Sequence, residues 1–466
     1  HTALNGQMAM FAALSECRCF DDIVEAMRRY IAENKITPKN VAMGFGYDHN
    51  FLEEQSHPTK EVLDKVSKTV PVAIMHVSGH LGCGNSTLLA MAGVDKNTPD
   101  PQGGRFGRVA GSNEPNGYFE EAAMMGLQGC LKKIKMNFGK MLGGLQKSYI
   151  EQGVTTLQEG AANKGNLSLL KLADLLGKLK ADVVVYPQLP DGTELFEKNA
   201  AMNGRYKKHL KLGGYKMILD GSPQGRSAWM SQPYLGGDPD YCGYPWLKDE
   251  EALEFCRRAL ADNRQILTHC NGDAASQQFL DAYEKAYAES NNPNKANLRP
   301  VMIHCQTVRN DQLDRMTDLK MIASIFVGHV YYWGDIHMKN FGPQRGHHIS
   351  PAKDALDRGL VVNFHQDTPV TKPDMMHSVW AAVNRQSRLG NTIGQEQKIG
   401  VYDALKAVTI NAAYQYFEED SKGSIKEGKR ADLVVLDRNP LETEPMEIKD
   451  IRVLETIKDG KTIYKA

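Results

Sequence analysis

The sequence predicts an α/β protein built mainly of parallel β-α-β units. Short apolar runs of strand character alternate with amphipathic helical stretches along most of the chain after residue 119, and this alternation is typical of parallel sheets. Two of the runs, 266–270 and 301–305, both end in His-Cys and enclose a helical stretch. Because close to eight units follow one another, we predict a (β/α)8 barrel of the TIM type rather than a doubly wound sheet.

The first part of the chain interrupts this regular alternation. A helical pattern at 21–34 is followed by strand-like runs at 41–48 and 71–77, so we predict an inserted α/β subdomain at about 20–117. Residues 95–117 are rich in Gly, Pro, Asn and Asp and are predicted to be a loop. The next stretch, 119–150, is predicted to be helical, with breaks at glycines.

The end of the chain has a different pattern. Residues 421–466 contain a turn, a strand and a second strand pair joined by Asp459-Gly460, a dipeptide that favours a tight hairpin turn. We therefore predict two parts, a barrel over 1–420 that includes the insertion and a small β module over 421–466.

Composition restricts the classes of function. The chain has 466 residues, 41% hydrophobic and 24% charged, with a formal net charge of zero, which is ordinary for a globular protein with a sizeable core. The balanced charge argues against nucleic acid or an anionic membrane as the main partner. No apolar run approaches the roughly 20 residues of a membrane helix. We expect a small-molecule substrate, and a homo-oligomer stays open.

The cysteines and the first residue bear on the location of the protein. Eight cysteines are scattered without a repeated spacing that suggests a disulfide framework, and buried thiols suit a reducing compartment. We therefore expect a cytoplasmic protein. The sequence begins at His1 without an initiator methionine, so we expect a fragment or trimmed product, and a signal peptide on its parent stays open.

Polar side chains at the carboxyl ends of the predicted strands are the candidates for chemistry. They are Lys216, His269, His304 and Asp367, with His1 as an outlier. Two imidazoles and a carboxylate can hold a Zn²⁺-class ion with a position left for water, whose pKa the ion lowers to about 7. A nearby carboxylate can then take and return the proton.

Structural interpretations compete with these roles. A single strand-end histidine is more often an ordinary buried side chain, and only the matching pair with Asp367 favours a metal site. Lys216 fits a surface charge, a Schiff-base nucleophile or a carbamylated metal bridge equally well. The isolated His49, His57, His76, His209 and His377 are interpreted as structural.

Several motifs together resemble the amidohydrolase superfamily of metal-dependent hydrolases. The resemblance is to the YtcJ-like branch (amidohydrolase family 3), which includes N-substituted formamide deformylase and the AepA-like proteins. It covers nearly the whole chain and rests on Ser78-Gly-His80, Gly117-Tyr-Phe-Glu-Glu121, Gly153-Val-Thr-Thr, Lys216 to Ser222, His269 to Ala274, His304 to Asp311, His329 to Asp335, His365 to Val370 and Gly428 to Leu433.

The resemblance implies a fold and a metal site. The implied fold is a metal-bearing (β/α)8 barrel with a small β-sandwich, of which 421–466 is the C-terminal part. His269 and His304 are the implied ligands of strands 5 and 6, and Asp367 the strand 8 ligand and proton shuttle. Lys216 matches a strand 4 lysine that is carboxylated in binuclear relatives.

Other positions carry roles by the same resemblance. His1 is the implied second histidine of a His-x-His pair whose first member lies upstream of this sequence, and Glu159 is an alternative ligand. His80 is an implied catalytic residue that stabilises the oxyanion and contacts substrate, a role it would share with His269. The remaining implied substrate contacts are His329, Trp333 and Asp220.

The leading hypothesis is a hydrolase of amide-type C–N bonds, with an N-substituted formamide or N-acyl compound as substrate. The expected cofactor is one or two divalent ions, Zn²⁺ first and Mn²⁺ or Fe²⁺ as alternatives. Two other hypotheses use the same barrel. One is a metal-dependent isomerase or dehydratase, and the other is a non-catalytic binding or regulatory protein.

Overall fold

The computed structural model describes residues 1–101 and 103–466. Their backbone contacts divide the chain into a larger unit, His1–Asn5 with Leu142–Ala466, and a smaller unit, Gly6–Met141. The smaller unit contains the predicted insertion, and the C-terminal β module belongs to the larger unit.

Strands and helices are numbered in chain order. The strands are β1 (Ala12–Ala13), β2 (Ala42–Tyr47), β3 (Val72–His76), β4 (Leu81–Gly84), β5 (Gly104–Arg108), β6 (Pro115–Glu121), β7 (Thr156–Ala162), β8 (Asp182–Pro187), β9 (Leu210–Leu212), β10 (Gly214–Ile218), β11 (Gln265–Cys270), β12 (Val301–His304), β13 (Ile322–Ile325), β14 (Val361–Phe364), β15 (Leu433–Leu436), β16 (Val453–Lys458) and β17 (Lys461–Lys465). The helices are α1 (Thr2–Met8), α2 (Phe20–Glu33), α3 (Lys60–Asp64), α4 (Ser86–Ala92), α5 (Gln128–Leu131), α6 (Phe138–Gly144), α7 (Lys147–Glu151), α8 (Lys164–Leu175), α9 (Gly192–Lys198), α10 (Asp249–Ala261), α11 (Asp273–Glu289), α12 (Asn310–Asp318), α13 (His329–His347), α14 (Ala352–Asp357), α15 (Met375–Asn384), α16 (Val401–Ala407) and α17 (Ile410–Gln415).

Parallel strands form the centre of the larger unit. One sheet has the order β7-β8-β9 and another the order β10-β11-β12-β13-β14, and every pairing in both is parallel. A parallel bridge between Gln188, the residue that follows β8, and Lys216 of β10 joins the two sheets. The alternation of strands and helices predicted from the sequence is confirmed. The described residues do not show a closed ring of strands.

The strands of this array are buried on both faces, as in other parallel sheets. Every residue of β8, β11, β12 and β13 is buried. Helices α10, α11, α12 and α14 contribute buried side chains to the same core, which includes Phe279, Leu313 and Val362. The carboxyl ends of β10, β11 and β12 therefore lie side by side on a rigid support.

The smaller unit is built on a mixed sheet of order β1-β2-β3-β4-β6-β5. β1, β2 and β3 are parallel, and the remaining pairings are antiparallel. Alternate residues face two separate apolar cores, because strand side chains point to opposite faces in turn. Ile74 of β3 belongs to one core with α2, and Ala73 belongs to the other with α4.

The prediction of a loop at 95–117 and the prediction of helical structure at 119–150 were both wrong in part. β5 and the beginning of β6 lie within the predicted loop, and β6 runs into the stretch predicted to be helical. Gly104 explains the error, since a Cβ atom there would lie 2.4 Å from the backbone nitrogen of Ala123. Glycine marks a close backbone approach at this strand, not a loop. The following helices, α5 to α7, are short.

The C-terminal module is a three-stranded antiparallel sheet of order β15-β16-β17. Asp459 and Gly460 join the last two strands with φ angles of 50° and 75°, the left-handed pair that a two-residue hairpin turn requires. The predicted hairpin is confirmed. Asp182 at the start of β8 accepts hydrogen bonds from Lys422 (2.8 Å) and contacts Lys458 (3.0 Å), so a buried ion cluster ties the module to the parallel array.

Within the described residues, no helix combines the length and the apolar character that crossing a membrane would need. All eight cysteines are free thiols.

Candidate metal centre

Two histidines meet at the carboxyl ends of neighbouring parallel strands. His269 lies near the end of β11 and His304 ends β12, and the two positions are one register step apart, since Cys270 pairs with His304. Both imidazoles are buried, and Nδ1 of His269 lies 3.0 Å from Nε2 of His304. The two histidines that the sequence prediction assigned to one site therefore lie side by side in the structure.

The imidazole contacts continue to a third histidine. Nδ1 of His304 lies 3.2 Å from Nε2 of His365, whose Nδ1 lies 3.0 Å from the Ser324 hydroxyl. Burial lowers the pKa of His365 to about 4, and burial together with the neighbouring imidazoles holds the pKa of His304 well below its usual value. At neutral pH these rings are uncharged, and an uncharged imidazole is the form that binds a metal ion.

Backbone geometry at this edge is unusual. His304 and Asp367 have φ angles of 79° and 50°, in the left-handed region that residues with a Cβ atom rarely occupy. Such conformations cost on the order of 1–3 kcal/mol and cluster at functional sites. Here they turn the chain directly after β12 and β14, where the two predicted ligands stand.

A second group joins His1, Glu159 and Asp367. Nε2 of His1 lies 3.1 Å from Asp367, and Nδ1 lies 3.6 Å from Glu159. Burial opposes the charged form of His1, but hydrogen bonds and the charges of the two carboxylates outweigh it and raise its pKa to about 10. Burial opposes ionisation of Asp367, yet the hydrogen bond and charge of His1 hold its pKa well below the usual value.

Glu159 is the fully buried carboxylate of this group. Its Oε2 accepts a hydrogen bond from the backbone N–H of Ala3 at 2.5 Å. Among the described residues, Oε1 has no hydrogen-bond partner, and its ion-pair contact is Nδ1 of His1 at 3.6 Å. A buried carboxylate oxygen without a partner is costly, and a bound cation would remove that cost. The donor set of imidazoles and carboxylates therefore fits a divalent ion of the Zn²⁺ class.

Lys216 is buried in β10. Burial lowers its pKa to about 8, although the charge of Asp367 acts in the opposite direction. A lysine with a lowered pKa presents a larger fraction of neutral amine, which is the nucleophilic form. Of the three interpretations left open by the sequence, a surface charge is wrong.

Asp220 supports the turn after His269. Its carboxylate accepts backbone hydrogen bonds from Trp229 (3.0 Å), Asn271 (3.0 Å) and Gly272 (2.7 Å), and it lies 3.5 Å from Nε2 of His269. These contacts position the histidine. The predicted contact of Asp220 with substrate stays a prediction.

His329 and Trp333 form a buried aromatic cluster at the start of α13. Nδ1 of His329 lies 3.0 Å from Nε2 of His337, and the rings of His329 and Trp333 are 4.6 Å apart. Phe326 contacts both His329 and His304 through its ring. This cluster is adjacent to His304, and its role in substrate binding stays a prediction.

His80 belongs to the smaller unit, where its Nδ1 lies 2.9 Å from the Glu121 carboxylate. A carboxylate that binds Nδ1–H leaves Nε2 of a neutral histidine as the acceptor. Its predicted roles in catalysis and substrate binding stay predictions.

The sequence prediction missed two kinds of residue. His365 follows β14 directly and contacts His304, whereas the sequence prediction included it in the motif 365–370 without giving it a role in the site. Asp48, His49 and His76 of the smaller unit are the second case, because they bring three ligand atoms within 4.8 Å of one another. Among the described residues, the larger unit has no group of His, Cys, Asp and Glu that is equally compact.

Comparisons with known proteins agree with this arrangement. A family model described as "Amidohydrolase family" matches residues 1–464, so the chain belongs to the amidohydrolase family. As an amidohydrolase it is a hydrolase that acts on carbon–nitrogen bonds. The predicted family resemblance is confirmed.

Relatives match over most of their length. YtcJ of Bacillus subtilis (strain 168) is 25% identical, with 100% of this chain and 87% of YtcJ aligned. N-substituted formamide deformylase of Arthrobacter pascens is 26% identical over 96% of this chain and 82% of that enzyme. The crystal structure of an uncharacterized metal-dependent hydrolase from Pyrococcus horikoshii OT3 has a TM-score of 0.73 at 22% identity, over 96% of this chain and 85% of that one. This last likeness shows that the two chains share a fold.

Proposed function

We propose that this chain hydrolyses the amide-type C–N bond of a small N-substituted formamide or N-acyl amine. The proposed cofactor is one or two divalent ions, Zn²⁺ first, bound by His269, His304 and Asp367. The observation that carries the proposal is the 3.0 Å contact between the His269 and His304 imidazoles at adjacent strand ends. The name of the relative from Arthrobacter pascens supports the substrate class.

The same proposal extends to the fold and to a second ion. The parallel array from β7 to β14 supports a (β/α)8 barrel, whose functional residues belong at the carboxyl ends of the strands. Glu159 would complete the donors for one ion, together with His1 once its imidazole has lost its proton, and a carboxylated Lys216 would supply a ligand for a second. The neutral fraction of Lys216 at its lowered pKa supports that modification.

The bound ion and the Asp367 carboxylate have separate parts in the proposed reaction. A bound divalent ion supplies Lewis acidity, which polarises a carbonyl group and makes water more acidic. Asp367 is ionised at neutral pH because its pKa is depressed. Its carboxylate accepts the proton of the attacking water and passes it to the leaving nitrogen. The C–N bond breaks, and the products are a carboxylic acid and an amine.

A substrate panel tests the proposal. Full-length protein supplied with Zn²⁺ or Mn²⁺ is assayed against N-formyl and N-acyl amines, in parallel with Asp367→Asn. Loss of a general base costs roughly 10²–10⁴-fold in rate, so we expect a fall in kcat of that size. Asp314→Asn is the matched control, because Asp314 is an exposed carboxylate paired with Arg358.

Two results would count against the proposal. Unchanged kcat in Asp367→Asn would remove the proton-transfer role. Turnover that leaves no labelled solvent oxygen in the product would indicate isomerisation or dehydration instead of hydrolysis.

A further inference from the structure

A second group of metal-ligand residues lies at one edge of the sheet in the smaller unit. Asp48 and His49 follow β2, and His76 ends β3, which runs parallel to β2. Tyr47 pairs with His76 across a register shift after Phe45. Such a bulge re-aims the side chains that follow it, and here it brings those at 48 and 49 towards the end of β3.

The ligand atoms of this group have the separations of a metal site. Nδ1 of His49 lies 3.2 Å from Nε2 of His76. Oδ1 of Asp48 lies 3.4 Å from Nε2 of His76 and 3.9 Å from Nδ1 of His49. Around a tetrahedral ion with bonds of about 2.0–2.1 Å, ligand atoms are about 3.3–3.4 Å apart. Two of the observed distances therefore agree with that geometry to within about 0.2 Å, and the third, between Asp48 and His49, is longer by about half an ångström.

Supporting contacts hold His76 in place. Its side chain is fully buried, and Nδ1 lies 2.9 Å from the Ser78 hydroxyl. The ring packs edge-on against Tyr47 at 5.3 Å. A metal-binding histidine usually bonds a partner through its other nitrogen, which fixes the ring and its tautomer. Ser78 holds this nitrogen through two contacts, since its backbone N–H also donates to Nδ1 at 3.1 Å, and Nε2 is left facing Asp48 and His49.

His49 is also arranged for ligation. Its ring stacks on His57 at 4.0 Å, and His57 is itself bound to the Tyr47 hydroxyl. The His49 side chain keeps 19% of its surface exposed and that of Asp48 keeps 10%, which leaves a path for an ion.

We propose that Asp48, His49 and His76 bind one divalent transition-metal ion of the Zn²⁺ class. Two imidazole nitrogens and one carboxylate oxygen suit Zn²⁺, whereas Ca²⁺ and Mg²⁺ prefer ligand sets made of oxygen. Three protein ligands leave the fourth position for water or a small ligand. None of the three belongs to the site proposed for hydrolysis, so the two ions can be tested separately.

Metal counting on the full-length protein provides the test. Chelator-treated protein is dialysed against Zn²⁺, and bound zinc per chain is measured by mass spectrometry. We expect His49→Gln and His76→Gln each to bind one zinc fewer than the unchanged chain. His348→Gln is the control, because His348 contacts Asp354 in the larger unit. Loss of zinc in His304→Gln reports instead on the site proposed for hydrolysis.

Two further measurements make the outcome decisive. Ser78→Ala is expected to weaken zinc binding at this site by roughly 10-fold, the effect of losing an outer hydrogen bond. Anomalous diffraction from zinc-soaked crystals should give a peak between the three side chains. Unchanged zinc content in both His49→Gln and His76→Gln, or no peak there, would overturn the proposal. If His76→Gln fails to fold by circular dichroism, His49→Gln decides, because the His49 side chain is partly exposed.

Discussion

Nδ1 of His269 lies 3.0 Å from Nε2 of His304, although the two residues are 35 positions apart in the chain. The contact follows from the pairing of β11 with β12, which places the two strand ends beside each other. Two imidazoles at this distance share one proton, or they share a metal ion. The chain's membership of the amidohydrolase family favours the ion.

The turn that follows His269 at the end of β11 depends on a glycine. A Cβ atom at Gly272 would lie 1.8 Å from the carbonyl oxygen of Trp229 and 2.4 Å from its carbon. Because backbone atoms cannot give way as a flexible side chain can, we expect Gly272→Ala to lower the free energy of unfolding by about 3 kcal/mol. Urea denaturation measures the change.

A matched substitution separates crowding from the loss of glycine itself. Gly143 lies in α6 and has nothing within 4 Å of its ideal Cβ position. Gly143→Ala should leave stability unchanged or raise it by up to about 1 kcal/mol. Equal stability of the two variants would contradict the proposed close approach at Gly272.

The buried ion cluster around Asp182 predicts a pH-dependent stability. Burial opposes ionisation of Asp182, but His209, Lys422 and Lys458 outweigh it and lower its pKa. A carboxylate whose pKa is lower in the folded state stabilises the protein above its unfolded pKa of about 3.9, and this contribution is lost as the pH falls below that value.

Substitution of Asp182 tests that contribution. At pH 7, Asp182→Asn should destabilise the chain by about 3 kcal/mol, because the buried Lys422 and Lys458 lose a carboxylate that they share. As the pH falls below about 4, the difference from the unchanged chain should shrink. Thermal denaturation at several pH values measures it, with the exposed Asp450→Asn as control. A difference that stays constant with pH would contradict the ionic explanation.

Lys216 predicts a response to bicarbonate. With a pKa of about 8, about a tenth of its amine is neutral at pH 7, against less than about a thousandth for a free lysine. We expect added bicarbonate to raise hydrolysis by the zinc-loaded chain and to give a carbamate signal by carbon NMR. Lys216→Arg should abolish both effects, since arginine stays protonated.

The control for this prediction is an exposed lysine. Lys178→Arg keeps the charge at a surface position and should respond to bicarbonate as the unchanged chain does. A carbamate signal that persists in Lys216→Arg would place the modification at another residue.

Sequence reasoning succeeded where the position of a side chain follows from the pairing of neighbouring strands. The repeated His-Cys endings identified β11 and β12, and parallel pairing alone is enough to bring His269 and His304 together. The Asp459-Gly460 hairpin was equally accessible, because two consecutive left-handed residues are required there.

The same reasoning failed where structure depends on local irregularity. His49 and His76 are 27 positions apart, and a register shift in β2 decides that they meet. No periodic pattern shows such a shift. β5 was missed for a related reason. Glycine is required at position 104 because the backbone of Ala123 approaches it closely, whereas the frequency of glycine in turns predicts a loop.

Zinc content and hydrolysis, measured on the same preparations, test the central claim most directly. Chelator-treated full-length protein is reconstituted with Zn²⁺ and assayed with the most active compound of the amine panel, beside His304→Gln treated identically. Loss of a metal ligand should weaken binding by roughly 100-fold or more, so we predict that zinc restores hydrolysis to the unchanged chain and not to the variant. Full hydrolysis by the zinc-free chain, or equal recovery in His304→Gln, would contradict a metal-dependent reaction at this site.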